Sequence, residues 1–152
     1  MTTHVDRLGA IANRSMPPGT IIPELVYGDL DRAVIWLCRT FGFEERLRIG
    51  KHRSQLVVGG ASVIAVAASG ARDDTASHPS QSEPAHSIMV RVADADRHYA
   101  QAKQSGARIL KPPETYPFGE RQYTVEDLGG HRWTFTQSVA DVDPEEWGGQ
   151  LL

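Results

Sequence analysis

Two stretches of the chain carry the same order of structural signals, and this repeat limits its possible folds more than any other feature. Each stretch shows a strand pattern, an Asp suited to a helix N-cap, an apolar helical stripe, a Gly stop and strands around a Gly-Gly turn. These signals fall at Asp29, Gly42 and Gly59-Gly60 in the first stretch and at Asp94, Gly106 and Gly129-Gly130 in the second. Since each stretch alone would leave a sheet face uncovered, the order predicts two similar units that fold together.

The strand pair predicted most clearly lies between residues 116 and 137. Polar and apolar residues alternate over 121–126 and again over 131–136, as in strands with one buried face. An Asp- and Gly-rich segment, 127–130, separates them and supplies the backbone geometry of a turn. The segment therefore predicts a β-hairpin.

Length, composition and charge exclude several classes of protein. The 152 residues suffice for a domain with a core, and 40% hydrophobic with 23% charged residues is ordinary for a globular chain. A net charge of −3 and the lack of a basic run argue against a nucleic-acid binder. No apolar stretch approaches the ~20 residues that span a membrane, and the first residues lack the apolar segment of a signal peptide. The single cysteine, Cys38, excludes an intrachain disulfide, and we expect a cytoplasmic protein.

The hairpin also carries a family resemblance. Arg121-Gln122-Tyr123-Thr124-Val125, then Asp127, Gly130-His131 and Trp133-Thr134-Phe135, resembles the closing hairpin of the vicinal-oxygen-chelate superfamily, in its glyoxalase and bleomycin-resistance branch. The stretches 22–29 and 41–43 are similar to its opening strand and helix end, so the resemblance covers roughly residues 20–138. It implies an α+β fold of two βαβββ units that form a cupped mixed sheet, with helices on the outer face and a ligand site within the cup.

The predicted organisation follows from the repeat and the resemblance. The domain occupies 21–138, between an N-terminal arm (1–20) and a C-terminal tail (139–152). Its parts are a first unit (21–68), a polar linker loop (69–85) and a second unit (86–138). We expect Pro112-Pro113 to break the strand after the second helix, and Asp143-Pro144 to begin a capped helical turn in the tail.

The resemblance also implies where a metal would bind. Metal-dependent members hold a divalent ion with four strand positions, which fall here near Ile22, Ala65, Ser87 and Thr134. Ile and Ala cannot ligate, and hydroxyls are poor ligands beside the imidazole and carboxylate that such ions prefer. We therefore predict no metal ion and no other cofactor.

Side-chain parity predicts which residues line the cup. Ile88, Val90, Ile64 and Val66 are expected under the helices, and Trp133 shares one face with Phe135. The predicted ligand-binding residues are Glu24, Val63, Ala65, Ser87, Met89, Arg91, Phe118, Arg121, Arg132 and Thr134. Of these, Phe118 and Arg121 are expected at the rim. Alternatively, Glu24 and Arg91 only pair with each other or face solvent, and Arg121 only pairs with Glu120 or Glu126.

Three functions stay open at this point. The first is a metal-free protein that binds a small organic molecule in the cup, as the resemblance to bleomycin-resistance-like members implies. The second is a metal-dependent lyase, isomerase or dioxygenase, with misaligned ligands or with acid-base chemistry by Glu24 or a histidine. The third is a structural or regulatory dimer. The resemblance also implies a homodimer.

Overall fold

The computed structural model describes residues 13–68 and 86–151, and it confirms the α+β class with two βαβββ units. The predicted linker loop and most of the predicted N-terminal arm lie outside the described residues. The first unit consists of β1 (Glu24–Tyr27), α1 (Leu30–Phe41), β2 (Glu44–Ile49), β3 (Arg53–Val58) and β4 (Ala61–Ala67). The second consists of β5 (Ile88–Arg91), α2 (Ala95–Gln104), β6 (Arg108–Thr115), β7 (Glu120–Glu126) and β8 (Arg132–Ser138), and a 3-10 turn (Pro144–Trp147) follows.

Each unit builds its own four-stranded mixed sheet with the same topology. The strand order is β1-β4-β3-β2 in the first sheet and β5-β8-β7-β6 in the second. In both, the strand before the helix pairs in parallel with the last strand of the unit, and the other pairs are antiparallel. The described residues group into two compact units, 13–38 with 42–68 and 39–41 with 86–151.

Both helices begin at the residues that the sequence predicts, and α2 ends at Gln104, two residues before the predicted stop at Gly106. The side chain of Asp29 accepts from the backbone N–H of Arg32 at 3.1 Å, and that of Asp94 accepts from Arg97 at 3.0 Å. These bonds satisfy backbone donors that a helix start leaves without partners. Gly42 ends α1 at a φ of 80°, in the left-handed region that glycine adopts without strain.

The helix of the first unit lies on the face of the sheet that carries Ser54 and Leu56. Two residues of β2, Glu45 and Arg48, pair with Leu56 and Ser54, and Arg48 forms an ion pair with Asp31 of α1. The buried residues of this helix face include Leu25, Tyr27, Leu56, Val63 and Ala65.

The second unit has an aromatic core on its own helix face. Trp133 and Phe135 of β8 are fully buried, opposite Val125 and Tyr123 of β7. Phe41, which groups with this unit, packs on Phe135 with ring centroids 4.9 Å apart. The prediction that Trp133 and Phe135 share a face is confirmed. The register places Ile88 and Val90 of β5 on the same face, under the helix as predicted.

The prediction of a strand break at Pro112-Pro113 is wrong. Strand β6 runs from Arg108 to Thr115, and its register shifts between Lys111 and Glu114, so the two prolines sit in an irregular segment. β6 is the outer strand of its sheet, where a residue without an N–H can be accommodated.

The C-terminal tail packs against the turn before β7. The carbonyl of Gly119 accepts from the N–H groups of Val139 and Ala140 at 2.8 and 3.2 Å. The 3-10 turn that follows is capped by Asp143, as predicted, and Trp147 packs edge-on against Phe118 at 5.7 Å. These contacts hold the tail beside the first residues of β7.

Candidate functional site

The candidate site is the helix-distal face of the second sheet, meaning the face opposite α2. The register assigns alternate residues of β5, β7 and β8 to this face. They are almost all polar: Met89 and Arg91 on β5, Glu120, Gln122, Thr124 and Glu126 on β7, and Arg132, Thr134, Thr136 and Ser138 on β8. These side chains offer hydrogen-bond donors and acceptors to a polar group of a ligand.

A connected hydrogen-bond network lies at one end of this face. The Thr136 hydroxyl donates to Glu120 Oε1 at 2.6 Å, and Gln122 Nε2 donates to the same oxygen at 3.0 Å. Thr136 is buried, with 7% of its surface exposed. The two bonds fix the orientation of the Glu120 carboxylate before any ligand arrives. Glu120, Gln122 and Thr136 are not among the ligand-binding residues that the sequence predicts.

Four of the predicted site residues belong to this face, as parity predicts. Met89 pairs with Thr134 and Arg91 pairs with Thr136 across β5 and β8, and Arg132 lies on the same face of β8. Met89 is 60% exposed, so it is the principal apolar surface of the face. The Thr134 and Thr124 hydroxyls lie 3.3 Å apart. Ser87, also predicted, is exposed just before β5 begins.

The three predicted site residues of the first sheet lie on different faces of that sheet. Glu24 lies on its helix-distal face and forms an ion pair with Arg53, so it pairs with a neighbour on its own sheet rather than with Arg91. Val63 and Ala65 pair with Leu56 and Ser54, which places both on the helix face. The predicted parity of β4 is therefore wrong.

A strap formed by residues 13–18 lies on the helix-distal face of the first sheet. Gln55, which is buried, donates from Nε2 to the Ser15 carbonyl at 2.8 Å. Arg46 bonds to the Gln55 side chain and donates from Nη2 to the Arg14 carbonyl at 2.9 Å. Pro17 is buried as well. The chain itself therefore covers part of this face, whereas Met89 and Arg91 are exposed on the corresponding face of the second sheet.

The two predicted rim residues have structural contacts. Phe118 stacks on Tyr116, with ring centroids 5.3 Å apart, and also contacts Trp147. Arg121 lies on the helix face and binds the carboxylate of Asp96 in α2, with bonds of 2.9–3.1 Å. The alternative that Arg121 pairs with Glu120 or Glu126 is therefore wrong, because its partner is Asp96.

The donor set does not fit a divalent metal ion. The register places Ala65 on the helix face and its neighbour Ile64, not Ala65, on the helix-distal face beside Glu24. Neither side chain can ligate. Within 13–68 and 86–151, no three His, Cys, Asp or Glu side chains come close enough together to hold an ion. The chemistry of these residues gives no basis for a metal-dependent step.

One half-buried histidine, His98, has a hydrogen-bond partner at each ring nitrogen. His98 Nδ1 lies 2.5 Å from the Tyr123 hydroxyl and Nε2 lies 3.0 Å from the Phe41 carbonyl. Since a carbonyl only accepts, Nε2 carries the proton and Nδ1 accepts from Tyr123. Burial lowers the pKa of His98 and raises that of Tyr123. Both shifts favour the neutral form of the group.

The thiol of Cys38 is not activated as a nucleophile. Burial and the neighbouring Glu45 carboxylate raise the pKa of the Cys38 thiol, which disfavours the reactive thiolate. The Arg48 guanidinium opposes this effect without reversing it.

Neither helix of the described chain has the length and apolar character that crossing a bilayer requires.

Comparison with known proteins places this geometry in a family. Residues 19–135 match the model of the Glyoxalase/Bleomycin resistance protein/Dioxygenase superfamily. The structure of TioX from Micromonospora sp. ML1 is similar, with 36% sequence identity, a TM-score of 0.63 and coverage of 79% of this chain and 98% of that one. A glyoxalase/bleomycin resistance protein/dioxygenase from Nocardioides covers 97% of each chain with a TM-score of 0.61, and its 21% identity bears on the fold alone.

A shorter similarity links the chain to a mycobacterial protein. The uncharacterized protein Mb0911c of Mycobacterium bovis is 32% identical over 59 residues, which span only 39% of each chain. The superfamily match covers far more of the sequence and agrees with the two βαβββ units, as does the TioX similarity. The chain therefore belongs to the Glyoxalase/Bleomycin resistance protein/Dioxygenase superfamily.

Proposed function

We propose that the protein binds a small organic molecule on the helix-distal face of its second sheet and that it does so without a metal ion. The observation that carries the proposal is the pre-oriented network of Thr136, Gln122 and Glu120 beside the exposed Met89 and Arg91. Pre-ordered polar groups lower the cost of ordering a site on binding. Met89 adds an adaptable apolar contact, since its side chain is flexible and polarizable.

The lack of a suitable donor set supports binding rather than metal-assisted turnover. Ile22, Ile64 and Ala65 cannot ligate, and Ser87 and Thr134 offer only hydroxyls. His98 and Cys38, which acid-base or nucleophilic chemistry would use, have the shifted pKa values and contacts described above. A metal-dependent lyase, isomerase or dioxygenase is the alternative that the first experiment tests.

The experiment combines metal analysis with ligand titration. The protein is purified without chelators, bound metal is measured, and a panel of small organic fragments is titrated while backbone amide resonances are followed by NMR. We expect no stoichiometric metal, and we expect fragment-induced shifts in β5, β7 and β8. A stoichiometric divalent ion whose removal abolishes turnover would contradict the proposal, as would shifts confined to other parts of the chain.

Arg91 provides the variant for this experiment. Losing a charge-assisted hydrogen bond costs about 1.5 kcal/mol at the lower end, which suits an exposed side chain. Arg91→Ala should therefore weaken binding of an anionic fragment by about tenfold. Arg97→Ala is the matched control, since Arg97 is an exposed arginine on α2 and the substitution removes the same charge. Equal affinity in wild type and Arg91→Ala would remove Arg91 from the site.

The assembly and location belong to the same proposal. A homodimer is what the resemblance to the superfamily implies, and the exposed apolar side chains of Val26 and Ile49 share one face of the first sheet. A cytoplasmic location is supported by the single cysteine. Sedimentation at micromolar concentration that gives a species of 16.7 kDa would contradict the dimer.

A further inference from the structure

The helix-distal face of the second sheet carries a cation and an anion on either side of one threonine. Arg91, Thr136 and Gln122 are neighbours in register across β5, β8 and β7. Glu120 lies two residues before Gln122 and therefore on the same face. Two interstrand spacings and a two-residue offset put the Cα atoms of Arg91 and Glu120 roughly 12 Å apart. Both residues therefore lie on the face that carries Thr136, one on each side of strand β8.

Neither charge is neutralised by the residues that the structure describes. The Arg91 side chain has no hydrogen bond or ion pair within 13–68 and 86–151, and no ion pair joins it to Glu120. The Glu120 carboxylate receives both of its hydrogen bonds, from Thr136 and Gln122, on Oε1. In the same part of the chain, no donor is bonded to Oε2. A full positive charge and an oriented carboxylate oxygen therefore remain for a ligand.

The charges further from Thr136 differ in this respect. Arg108 pairs with Glu126 at 3.3 Å. Lys111 donates to the Tyr116 hydroxyl at 3.1 Å and lies over that ring. The Arg108–Glu126 pair is already compensated, and the charge of Lys111 is matched by the nearby Glu114 carboxylate on the same face. Arg91 and Glu120 are the oppositely charged residues next to Thr136 and Gln122.

We infer that this face recognises a zwitterion, a ligand that carries an anionic group for Arg91 and a protonated amine for Glu120. The inference rests on the proposed function and names the ligand class of that site. The guanidinium offers paired N–H donors that match a carboxylate. The amine donates to Glu120 Oε2, and the Thr136 and Gln122 bonds on Oε1 keep that oxygen in place. The separation of the two residues favours a ligand whose charged groups stand on either side of a rigid spacer.

The test uses three probes that share one ring and differ in charge. They are 4-(aminomethyl)benzoate, which is a zwitterion, 4-methylbenzoate, which is only anionic, and 4-methylbenzylamine, which is only cationic. Each is titrated at pH 7 and low salt, and amide shifts in β5, β7 and β8 are followed. We expect the zwitterion to bind at least tenfold more tightly than either singly charged probe.

Two variants separate the two charges. Glu120→Gln should weaken the zwitterion about tenfold and leave the affinity of 4-methylbenzoate unchanged. Arg91→Ala should weaken the zwitterion by a similar factor and leave the affinity of 4-methylbenzylamine unchanged. Glu146→Gln in the 3-10 turn and Arg97→Ala on α2 remove the same charges from exposed positions elsewhere and should change none of the three affinities.

The outcomes distinguish this inference from the proposed function. Equal affinity for the three probes, or an unchanged zwitterion affinity in Glu120→Gln, would overturn the zwitterion and leave a binding site of another chemistry. If none of the three shifts these strands while another fragment does, the inference is overturned and the proposed function stands. If no fragment of any kind shifts them, both are overturned.

Discussion

Gly119 gives the sharpest test of how the C-terminal tail is attached. A Cβ at this position would lie 2.1 Å from the Ala140 carbonyl oxygen and 2.9 Å from its carbon, and the φ of Gly119 is +86°. The left-handed backbone costs a non-glycine residue about 1–2 kcal/mol. The clash must also displace the tail and break the bonds from Val139 and Ala140, at about 0.5–1.5 kcal/mol each. Gly119→Ala should therefore lower the free energy of unfolding by about 2–5 kcal/mol.

Gly106 provides a matched control, because its φ is also +86° but a Cβ added there would meet nothing within 4 Å. Gly106→Ala should lower the free energy of unfolding only by the cost of the left-handed backbone, about 1–2 kcal/mol. Urea unfolding followed by tryptophan fluorescence measures both variants. A chain of this size loses about 2–4 °C of Tm per kcal/mol, so thermal unfolding provides a second readout. Equal losses in the two variants would refute the reasoning, since the contact with Ala140 would then contribute nothing.

Three further predictions follow from contacts within each unit. Since burial lowers the pKa of His98, the unfolded chain takes up a proton that the fold resists. The free energy of unfolding should therefore fall as pH drops below about 6.5. A His98→Gln variant with the same pH dependence would contradict this. Asp127 accepts from Gly129, His131 and the Trp133 indole, so Asp127→Asn should cost about 1–3 kcal/mol in urea unfolding because an amide cannot replace both oxygens as acceptors. Gln55→Ala should speed amide exchange in residues 13–18, since the Ser15 carbonyl loses its donor, and unchanged exchange would show that the strap is held by other contacts.

The sequence predicted best the features that depend on neighbouring residues. Asp29 and Asp94 cap the helices because a short side-chain acceptor can reach the N–H three residues ahead. Apolar and polar residues alternate in β8, and β5 carries Ile88 and Val90 at one parity and Arg91 at the other, so the faces of Met89, Arg91 and Thr134 were predicted correctly. Such signals need no knowledge of distant parts of the chain.

Strand β4 shows where this reasoning fails. Its sequence is apolar at positions of both parities, so periodicity cannot tell which face lies under the helix. Ile64 is buried although it lies on the helix-distal face, the face that also carries Gln55 and its bonds to the strap. A contact between segments about 40 residues apart is not visible in a local pattern.

The network at the candidate site was missed for a related reason. Glu120 and Thr136 lie at the ends of the predicted strands, and their hydrogen bond depends on the register between β7 and β8. The alternation of Gln122 with Tyr123, and of Thr136 with Phe135, was the available signal. It places the polar side chains on one face but does not show which of them bond to each other.

The two prolines of β6 bear on how the chain behaves at high concentration. An outer strand normally presents a row of N–H and C=O groups that another chain can extend into a larger sheet. Consecutive strand residues direct their N–H groups to opposite edges, so Pro112 and Pro113 together remove one donor from that row. The register shifts between Ile109 and Lys111 and between Lys111 and Glu114 distort it further. A second chain cannot add a regular strand here. We therefore expect the β6 edge of the sheet to resist fibril-like aggregation. Replacing both prolines with β-branched residues would create an edge that promotes such aggregation.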